Sequence, residues 1–185
     1  SFGFSEPNQD EFGLRKINDH DWLAYGTENL LSVDELFTKG KHNWINACAA
    51  LALGNAIHLP MPTMLSALKN FKGLKHRCEW VLEKNGITWY DDSKGTNIGA
   101  TLAAIEGLGS AIQGKLILIA GGLGKGADFT QLRTPVAEHV RTIVLIGKDA
   151  PLIEKALDGA TNMQHAKTLQ EAVQLAGQSA QSGDA

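Results

Sequence analysis

The sequence contains few cysteines and no long hydrophobic run, and both shortages exclude classes of protein. Two cysteines, Cys48 and Cys78, are too few for a disulfide scaffold, and their spacing matches no zinc motif. No apolar run reaches the roughly 18 residues that a membrane helix requires. The first residues, SFGFSEPNQDEFG, do not have the pattern of a signal peptide. We therefore expect a reduced, cytoplasmic protein that does not span a membrane.

An excess of charge of one sign is also missing from the sequence. The formal net charge is −3 at pH 7, so neither a nucleic-acid-binding protein nor a polybasic membrane patch is indicated. The 185 residues are 43% hydrophobic and 20% charged. This composition is typical of globular proteins, and the length suffices for one domain or two small ones.

The pattern of the chain changes near residue 72. Residues 1–40 are polar and irregular, and we interpret them as short strands and loops. The segment 42–55 is rich in Ala and Leu and predicts a helix that ends at Gly54-Asn55. A second helix is predicted at 62–71, and Phe71-Lys72-Gly73-Leu74 then interrupts the helical pattern. The predicted domains are residues 1–72 and 73–185.

Strands and helices alternate in the second predicted domain. Asn85-Gly86 is a strong hairpin turn between strands at 78–84 and 87–91. The apolar segments 115–120 and 142–146 are typical of strands that are buried on both faces. This order predicts an α/β fold, a Rossmann-like and mainly parallel sheet with flanking helices. The remaining predicted elements are helices at 97–108, 129–139, 150–157 and 168–180 and a short strand at 162–165.

Both ends of the sequence are abrupt. The last predicted helix continues into Gln181-Ser182-Gly183-Asp184-Ala185, which is typical of a turn between a helix and a strand. A domain of this kind normally continues with another strand. We therefore expect a fragment that is truncated at both ends.

A glycine-rich loop, Ala120–Phe129, follows a predicted buried strand and precedes a predicted helix. Ligands of open α/β sheets bind at such strand ends. Glycines let backbone N–H groups approach an anion, and Lys125 adds a positive charge. The loop is not a Walker A motif, because Ile119 and Gly126 stand where that motif needs Gly and Ser or Thr. The alternative interpretation is a tight turn with a solvent-exposed lysine.

Polar residues also follow the strand predicted at 87–91. The segment Tyr90–Asn97 closes this strand and opens a helix, with Thr96 or Asn97 as the N-cap. Such a segment can bind an anion, a ribose or an amino acid. The alternative is an N-cap with a solvated turn.

Two further motifs suggest contacts with a nucleotide. The guanidinium of Arg77, in His76-Arg77-Cys78-Glu79, suits phosphate oxygens. Asn43 and Asn46 share a face of the first helical turn, and their amides could contact a purine edge. The alternatives are an exposed surface arginine and a frayed start of the helix.

The order and spacing of the four motifs together resemble the Mur ligase family, most of all its D-glutamate-adding member. The resemblance is clear from about Lys41 to Phe129. Asp91 and Gly95 depart from it, because the family commonly has Asn and Ala there. The motifs are Gly-x-His-Asn-x-x-Asn at 40–46, Phe-x-Gly-Leu-x-His-Arg-x-Glu at 71–79, Asp-Ser-Lys-x-Thr-Asn at 92–97 and Gly-Gly-x-Gly-Lys-x-x-Asp-Phe at 121–129.

The resemblance implies an ATP-dependent amide ligase of peptidoglycan precursor synthesis. Such an enzyme adds D-glutamate to UDP-N-acetylmuramoyl-L-alanine through an acyl phosphate, and we expect it to be a monomer. Residues 1–72 would be the C-terminal end of a P-loop-type ATPase domain, and 73–185 most of an amino-acid-binding domain. The P-loop and the Mg²⁺ ligands would lie outside this chain, so no metal ligand is assigned within it and the chain is expected to be inactive alone.

The resemblance also implies roles for single residues. Lys125 would pair with a substrate carboxylate, and Lys94 and Lys125 would be the catalytic residues of this chain. The residues that would bind ATP are Asn43 and Asn46 at the adenine, Arg77 at the phosphates and Asp92 at the ribose. The residues that would line the D-glutamate side are Lys94, Thr96 and Lys125.

Other functions stay open at the level of the sequence. Within the family, the alternatives are the ligases that add alanine, a diamino acid or a dipeptide, and folylpolyglutamate synthetase. A different class is a stand-alone module that binds a nucleotide or an anion without catalysis. The lack of a P-loop motif is compatible with such a module as well as with truncation.

Overall fold

Buried hydrophobic side chains form separate cores before and after Gly73. The computed structural model describes residues 1–3 and 5–185. It divides into unit 1, Ser1–Gly73, and unit 2, Leu74–Ala185. The boundary expected from the sequence lies one residue earlier, and the assignment of unit 1 to an ATP-binding domain stays a prediction.

Unit 1 packs an antiparallel three-stranded sheet against a helix. The strands pair in chain order, and Leu23 and Leu31 from the sheet share a core with Cys48 and Leu51 from the helix. A 3-10 helix at Val33–Glu35 follows the sheet. The elements are β1 (Phe12–Ile17), β2 (His20–Tyr25), β3 (Glu28–Ser32), α1 (Lys41–Ala56) and α2 (Met61–Asn70).

The helix predicted at 42–55 is confirmed as α1, Lys41–Ala56, but Gly54 does not end it. Gly54 is buried inside the helix, and a Cβ atom on it would lie 2.2 Å from the Met64 sulfur of α2. The glycine therefore permits the close approach of α1 and α2. The helix ends at Ala56, one residue after the predicted end, and His58 then takes a left-handed conformation with φ 60°.

Unit 2 has the alternation of strands and helices that the sequence predicts. The helix predicted at 129–139 begins instead as a 3-10 helix, Phe129–Leu132. Pro135 explains the break, because it lacks an N–H group and is tolerated only in the first turn of the α-helix. Among the described residues, no helix is both long enough and apolar enough to cross a membrane. The elements are β4 (Glu79–Lys84), β5 (Ile87–Asp91), α3 (Ile98–Gly109), β6 (Leu116–Gly121), α4 (Arg133–His139), β7 (Val140–Ile146), α5 (Ala150–Leu157), β8 (Asn162–Ala166) and α6 (Leu169–Ser179).

The centre of unit 2 is a parallel sheet with the strand order β6-β7-β8. Side chains of β7 alternate between its two faces. Ile143 and Leu145 pack in the core that contains residues of α3, α4 and α5, whereas Val144 packs with Ala172 and Ala176 of α6. These contacts confirm the predicted parallel sheet with helices on both sides.

The hairpin of β4 and β5 has the predicted turn at Asn85-Gly86. Both residues have positive φ, 57° and 74°, as a type I′ turn requires. Residues 183–185 connect this hairpin to the parallel sheet. Gly183 N donates to Gly86 O (2.8 Å) and Thr88 N to Asp184 O (3.1 Å) on one side. On the other side, Ala185 N donates to Lys115 O (3.2 Å) and Ile117 N to Ala185 O (2.7 Å).

These hydrogen bonds determine the direction of β5 relative to β6. On the β5 side, the bonded residues advance in the same direction along both chains. On the β6 side, the N–H and C=O groups of Ala185 bond to residues 115 and 117, and both patterns are parallel. Strands β5 and β6 are therefore parallel and separated by the width of one strand. Consequently, the loops that follow β5 and β6 leave the sheet at the same edge, where ligands of open α/β sheets bind.

The carboxylate of Asp184 holds residues 183–185 in this place. Its side chain is fully buried, and it accepts hydrogen bonds from Arg141 Nε (2.8 Å) and Nη2 (3.1 Å). It also accepts bonds from the backbone N–H groups of Lys115 (2.8 Å) and Gln181 (2.9 Å). Burial raises the pKa of Asp184, but these hydrogen bonds outweigh burial, so the pKa lies below its ordinary value.

Asp184→Asn is expected to destabilise unit 2 by on the order of 3 kcal/mol, because it leaves Arg141 and two N–H groups without their charged partner. Since the folded-state pKa of Asp184 is lowered, its contribution should be complete at neutral pH. It should decrease as the pH falls below about 4. Urea unfolding at pH 7 and pH 3 measures both effects. The control is Asp158→Asn, a change at an exposed acid of the same unit, and equal stability of the two variants would contradict the prediction.

Candidate functional site

The glycine-rich loop after β6 lies directly on the backbone at the end of β7. Gly121 has φ 151°, and a Cβ atom on it would lie 1.6 Å from Ile146 O. Gly122 N donates to the same carbonyl (3.0 Å), and Asp149 N donates to Gly122 O (3.1 Å). Only glycine fits at position 121, because the neighbouring strand leaves no room for a side chain.

Lys125 lies in a tight turn at the tip of this loop. Ala127 N donates to Gly124 O (2.9 Å), and the two central residues of the turn, Lys125 and Gly126, have φ 51° and 77°. Gly124 N donates to Asp149 Oδ2 (2.6 Å) at the start of α5. The Lys125 side chain is exposed, and in the part of the chain that the structure describes its ammonium has no hydrogen-bond or ion-pair partner.

The second polar loop follows β5 and is held by the turn that precedes β4. Asp92 Oδ1 accepts a hydrogen bond from Cys78 N (3.0 Å), and Lys94 N donates to His76 O (3.0 Å). Asn97 is the N-cap of α3, and its side chain accepts from Ala100 N (2.9 Å). Of the two N-cap residues that the sequence allows, the structure therefore selects Asn97.

A contact between His76 and Asp91 strengthens the junction of these two segments. His76 Nδ1 and Asp91 Oδ2 are 2.7 Å apart, and the other carboxylate oxygen accepts from Ser93 N (2.9 Å). The hydrogen bond with His76 and that with Ser93 lower the pKa of Asp91 to about 2. Sequence reasoning missed this pair because 15 positions separate the two residues. The only signal was the polar composition of both motifs.

His76, Asp91 and Glu79 are the described residues that come closest to a metal-ligand set. Their potential ligand atoms lie within 4.8 Å of one another. Glu79 Oε2, however, accepts from His76 N (2.8 Å), so hydrogen bonds within the group account for its arrangement. Cys78, between them, is not a nucleophile at neutral pH, because burial and then the nearby Asp92 raise the pKa of its thiol to about 12.

The structure places the residues that the sequence assigns to the D-glutamate side at one edge of the sheet of unit 2. Lys94 and Thr96 lie in the loop after β5, and Lys125 lies in the loop after β6, so all three are at the same edge of the sheet. All three side chains are exposed. Two lysine ammonium groups and a threonine hydroxyl at one sheet edge can bind a small dianion.

The residues assigned to ATP divide between the two units. In unit 2, exposed Arg77 precedes Cys78, whose N–H group binds Asp92. A Cβ atom on Gly95 would lie 2.6 Å from Asp92 Oδ2, so glycine at this departure from the family pattern leaves room for the carboxylate. In unit 1, Asn46 is exposed, and Asn43 Nδ2 donates to Lys39 O (2.7 Å).

Comparison with known proteins identifies similar sequences and folds. The family model described as "Mur ligase, glutamate ligase domain" matches residues 76–185. UDP-N-acetylmuramoylalanine–D-glutamate ligase of Pseudomonas aeruginosa is 55% identical over 185 residues, which are 100% of this chain and 41% of that protein. The chain therefore spans less than half the length of this relative.

Solved structures of lower sequence identity share the fold. UDP-N-acetylmuramate-alanine ligase MurC from Thermotoga maritima has a TM-score of 0.74 and 16% identity, over 99% of this chain and 42% of that one. MurF ligase from Thermotoga maritima in complex with ADP has a TM-score of 0.63 and 14% identity, over 94% of this chain and 41% of that one.

His76→Ala should raise the pKa of Asp91 from about 2 towards its ordinary value, because the strongest hydrogen bond to the carboxylate is lost. An NMR titration of the Asp carboxyl carbons measures the change. Asp128, whose pKa is lowered by Thr130, is the internal control and should titrate as before. An unchanged pKa of Asp91 would show that the contact with His76 does not form in solution.

Proposed function

This chain belongs to the Mur ligase family, and we propose that it is part of the ligase that adds D-glutamate to UDP-N-acetylmuramoyl-L-alanine. Unit 2 would bind D-glutamate, and unit 1 would be the end of the ATP-binding domain. The observation that carries the proposal is the placement of Lys94, Thr96 and Lys125 at one edge of the sheet of unit 2. The 55% identity over the whole chain to a protein named as a D-glutamate ligase supports this member of the family.

The arrangement of Lys94, Thr96 and Lys125 suits the charge of D-glutamate. This substrate carries two carboxylates besides the amine that reacts, so it needs cationic partners that leave the amine free. Lys125 has no partner among the described residues and can pair with one carboxylate. Lys94 adds a second positive charge, and the Thr96 hydroxyl can donate a hydrogen bond. Together they would orient the amine of D-glutamate towards the activated substrate.

The residues assigned to ATP retain groups that fit a nucleotide. One oxygen of Asp92 accepts from Cys78 N, which leaves the other able to accept from a ribose hydroxyl. The exposed guanidinium of Arg77 suits phosphate oxygens. Asn46 is exposed, and the amide oxygen of Asn43 is not used in its bond to Lys39, so both amides can contact an adenine edge.

In the proposed reaction, ATP supplies the phosphoryl group that activates the carboxylate of UDP-N-acetylmuramoyl-L-alanine. The residues of this chain contribute position and positive charge rather than a covalent nucleophile. Arg77 would bind phosphate oxygens, and Lys94 and Lys125 would hold D-glutamate in place. We also propose that the Mg²⁺ ligands belong to the rest of the ligase, and that the enzyme works as a monomer in the cytoplasm.

Lys125→Ala in the complete ligase should raise the KM for D-glutamate and lower turnover, and leave the binding of the UDP-sugar nearly unchanged. Removing one member of a partly desolvated charge pair costs on the order of 2–5 kcal/mol. Steady-state kinetics with each substrate varied in turn measures the effect. Lys155→Ala, at an exposed lysine of α5, is the matched control. Wild-type kinetics for D-glutamate in Lys125→Ala would reject the assignment of this loop to the amino acid.

The 185-residue chain alone should release no phosphate from ATP in the presence of the UDP-sugar and D-glutamate. Phosphoryl transfer in ligases of this kind relies on a phosphate-binding loop, and the glycine-rich loop of this chain is not a Walker A motif. Calorimetry should likewise show weak or undetectable binding of ATP. A micromolar affinity for ATP would instead favour the nucleotide-binding module.

A further inference from the structure

We infer that Asp149 is a positioning residue, which holds the turn that presents Lys125 to D-glutamate. The inference rests on the proposed function of Lys125 and adds to it a residue that none of the four motifs contains. Asp149 follows β7, whereas Lys125 follows β6, so the contact joins two neighbouring loops at the same edge of the sheet. The contact itself is the hydrogen bond from Gly124 N to Asp149 Oδ2 (2.6 Å), next to Lys125 in the chain.

The carboxylate of Asp149 does not cap the helix that it precedes. Asp149 is the N-cap of α5, where an Asp side chain commonly accepts from an N–H group of the first helical turn. Here its side chain makes no capping bond, and Pro151 removes one N–H group from that turn. The carboxylate is instead directed to Gly124 in the glycine-rich loop. The side chain thus stabilises the glycine-rich loop rather than the first turn of α5.

Few other interactions hold the tip of the loop. Gly122 is bound to β7 through Ile146 O, and Asp149 N returns a bond to Gly122 O. Beyond that point, a Cβ atom on Gly126 would have no heavy atom within 4 Å, so the turn has open space on the side of Gly126. Gly124 is the exception, because a Cβ atom on it would lie 2.4 Å from the Phe129 ring. Asp149 and Phe129 therefore fix the turn at its first residue.

Fixing Gly124 also fixes the direction in which Lys125 leaves the backbone. Lys125 has a left-handed conformation, φ 51°, which is costly for a residue with a side chain and persists only where the surrounding structure imposes it. Without the bond to Asp149, Gly124 and Gly126 can change conformation. The lysine can then reach the substrate carboxylate only in a fraction of the molecules. The expected consequence is weaker binding of D-glutamate.

The test uses the complete ligase with the variants Asp149→Ala, Asp149→Asn, Lys125→Ala and the double variant Asp149→Ala/Lys125→Ala. Asp149→Ala should raise the KM for D-glutamate roughly tenfold, which is the loss of one hydrogen bond to a charged group. The KM values for ATP and the UDP-sugar should change little. Asp149→Asn should restore most of the affinity, because its amide oxygen can accept from Gly124 N. Asp158→Ala, at an exposed acid directly after α5, is the control.

The double variant separates positioning from a general structural role. If Asp149 acts through Lys125, replacing Asp149 should raise the KM for D-glutamate little further once Lys125 is absent. The effects of the two substitutions on KM are then not additive. Hydrogen exchange of a peptide that contains Gly124 should accelerate in Asp149→Ala, with an unchanged melting temperature. Additive effects in the double variant, or equal increases of all three KM values, would overturn the inference. A raised KM for D-glutamate in Lys125→Ala but not in Asp149→Ala would overturn the inference as well and leave the proposed function intact. An unchanged KM in Lys125→Ala would instead reject the proposed assignment of this loop to D-glutamate.

Discussion

The arrangement of unit 2 depends on one buried carboxylate, that of Asp184. A buried charge is tolerated in a protein only when ion pairs and hydrogen bonds replace its hydration. Asp184 has four such bonds, from Arg141 and from two backbone N–H groups. They hold residues 183–185 between β5 and β6. The two strands are therefore parallel, and this segment separates them. The two candidate loops leave the same edge of the sheet for this reason.

Much of this fold could be predicted from local patterns. The apolar segments 115–120 and 142–146 are strands as predicted, although only Leu116 of the first strand is buried. Asn85-Gly86 is a turn whose backbone few other residue pairs adopt. Such signals lie within a few neighbouring residues. Gly54 does not end α1 but permits the close approach of Met64 from another helix, and sequence spacing does not reveal such a tertiary contact. The break in the helix at 129–139 was missed although Pro135 was a local signal for it.

The candidate site also has one part that local patterns predict and one part that depends on contacts between distant segments. Exposed polar residues such as Lys94 and Lys125 belong to motifs, so they could be found from the sequence. The family that those motifs indicated is confirmed. The groups that hold them in place could not be found. His76 with Asp91 and Asp149 with Gly124 are contacts between segments that lie 15 and 25 positions apart. A single sequence gives no measure of such proximity. In the second contact, moreover, the carboxylate accepts from a backbone N–H group, which leaves no mark on residue type.

The segment 183–185 has a consequence for the order in which this protein folds. Lys115 and Asp184, which bond to each other, are 69 positions apart in the chain, and contacts of such long range form slowly. During synthesis, β5 and β6 are complete long before the residues that lie between them leave the ribosome. Until then, both strands have an edge with unpaired backbone groups, which is a template for association with other chains. The nascent protein therefore passes through a stage in which the facing edges of β5 and β6 are both unpaired.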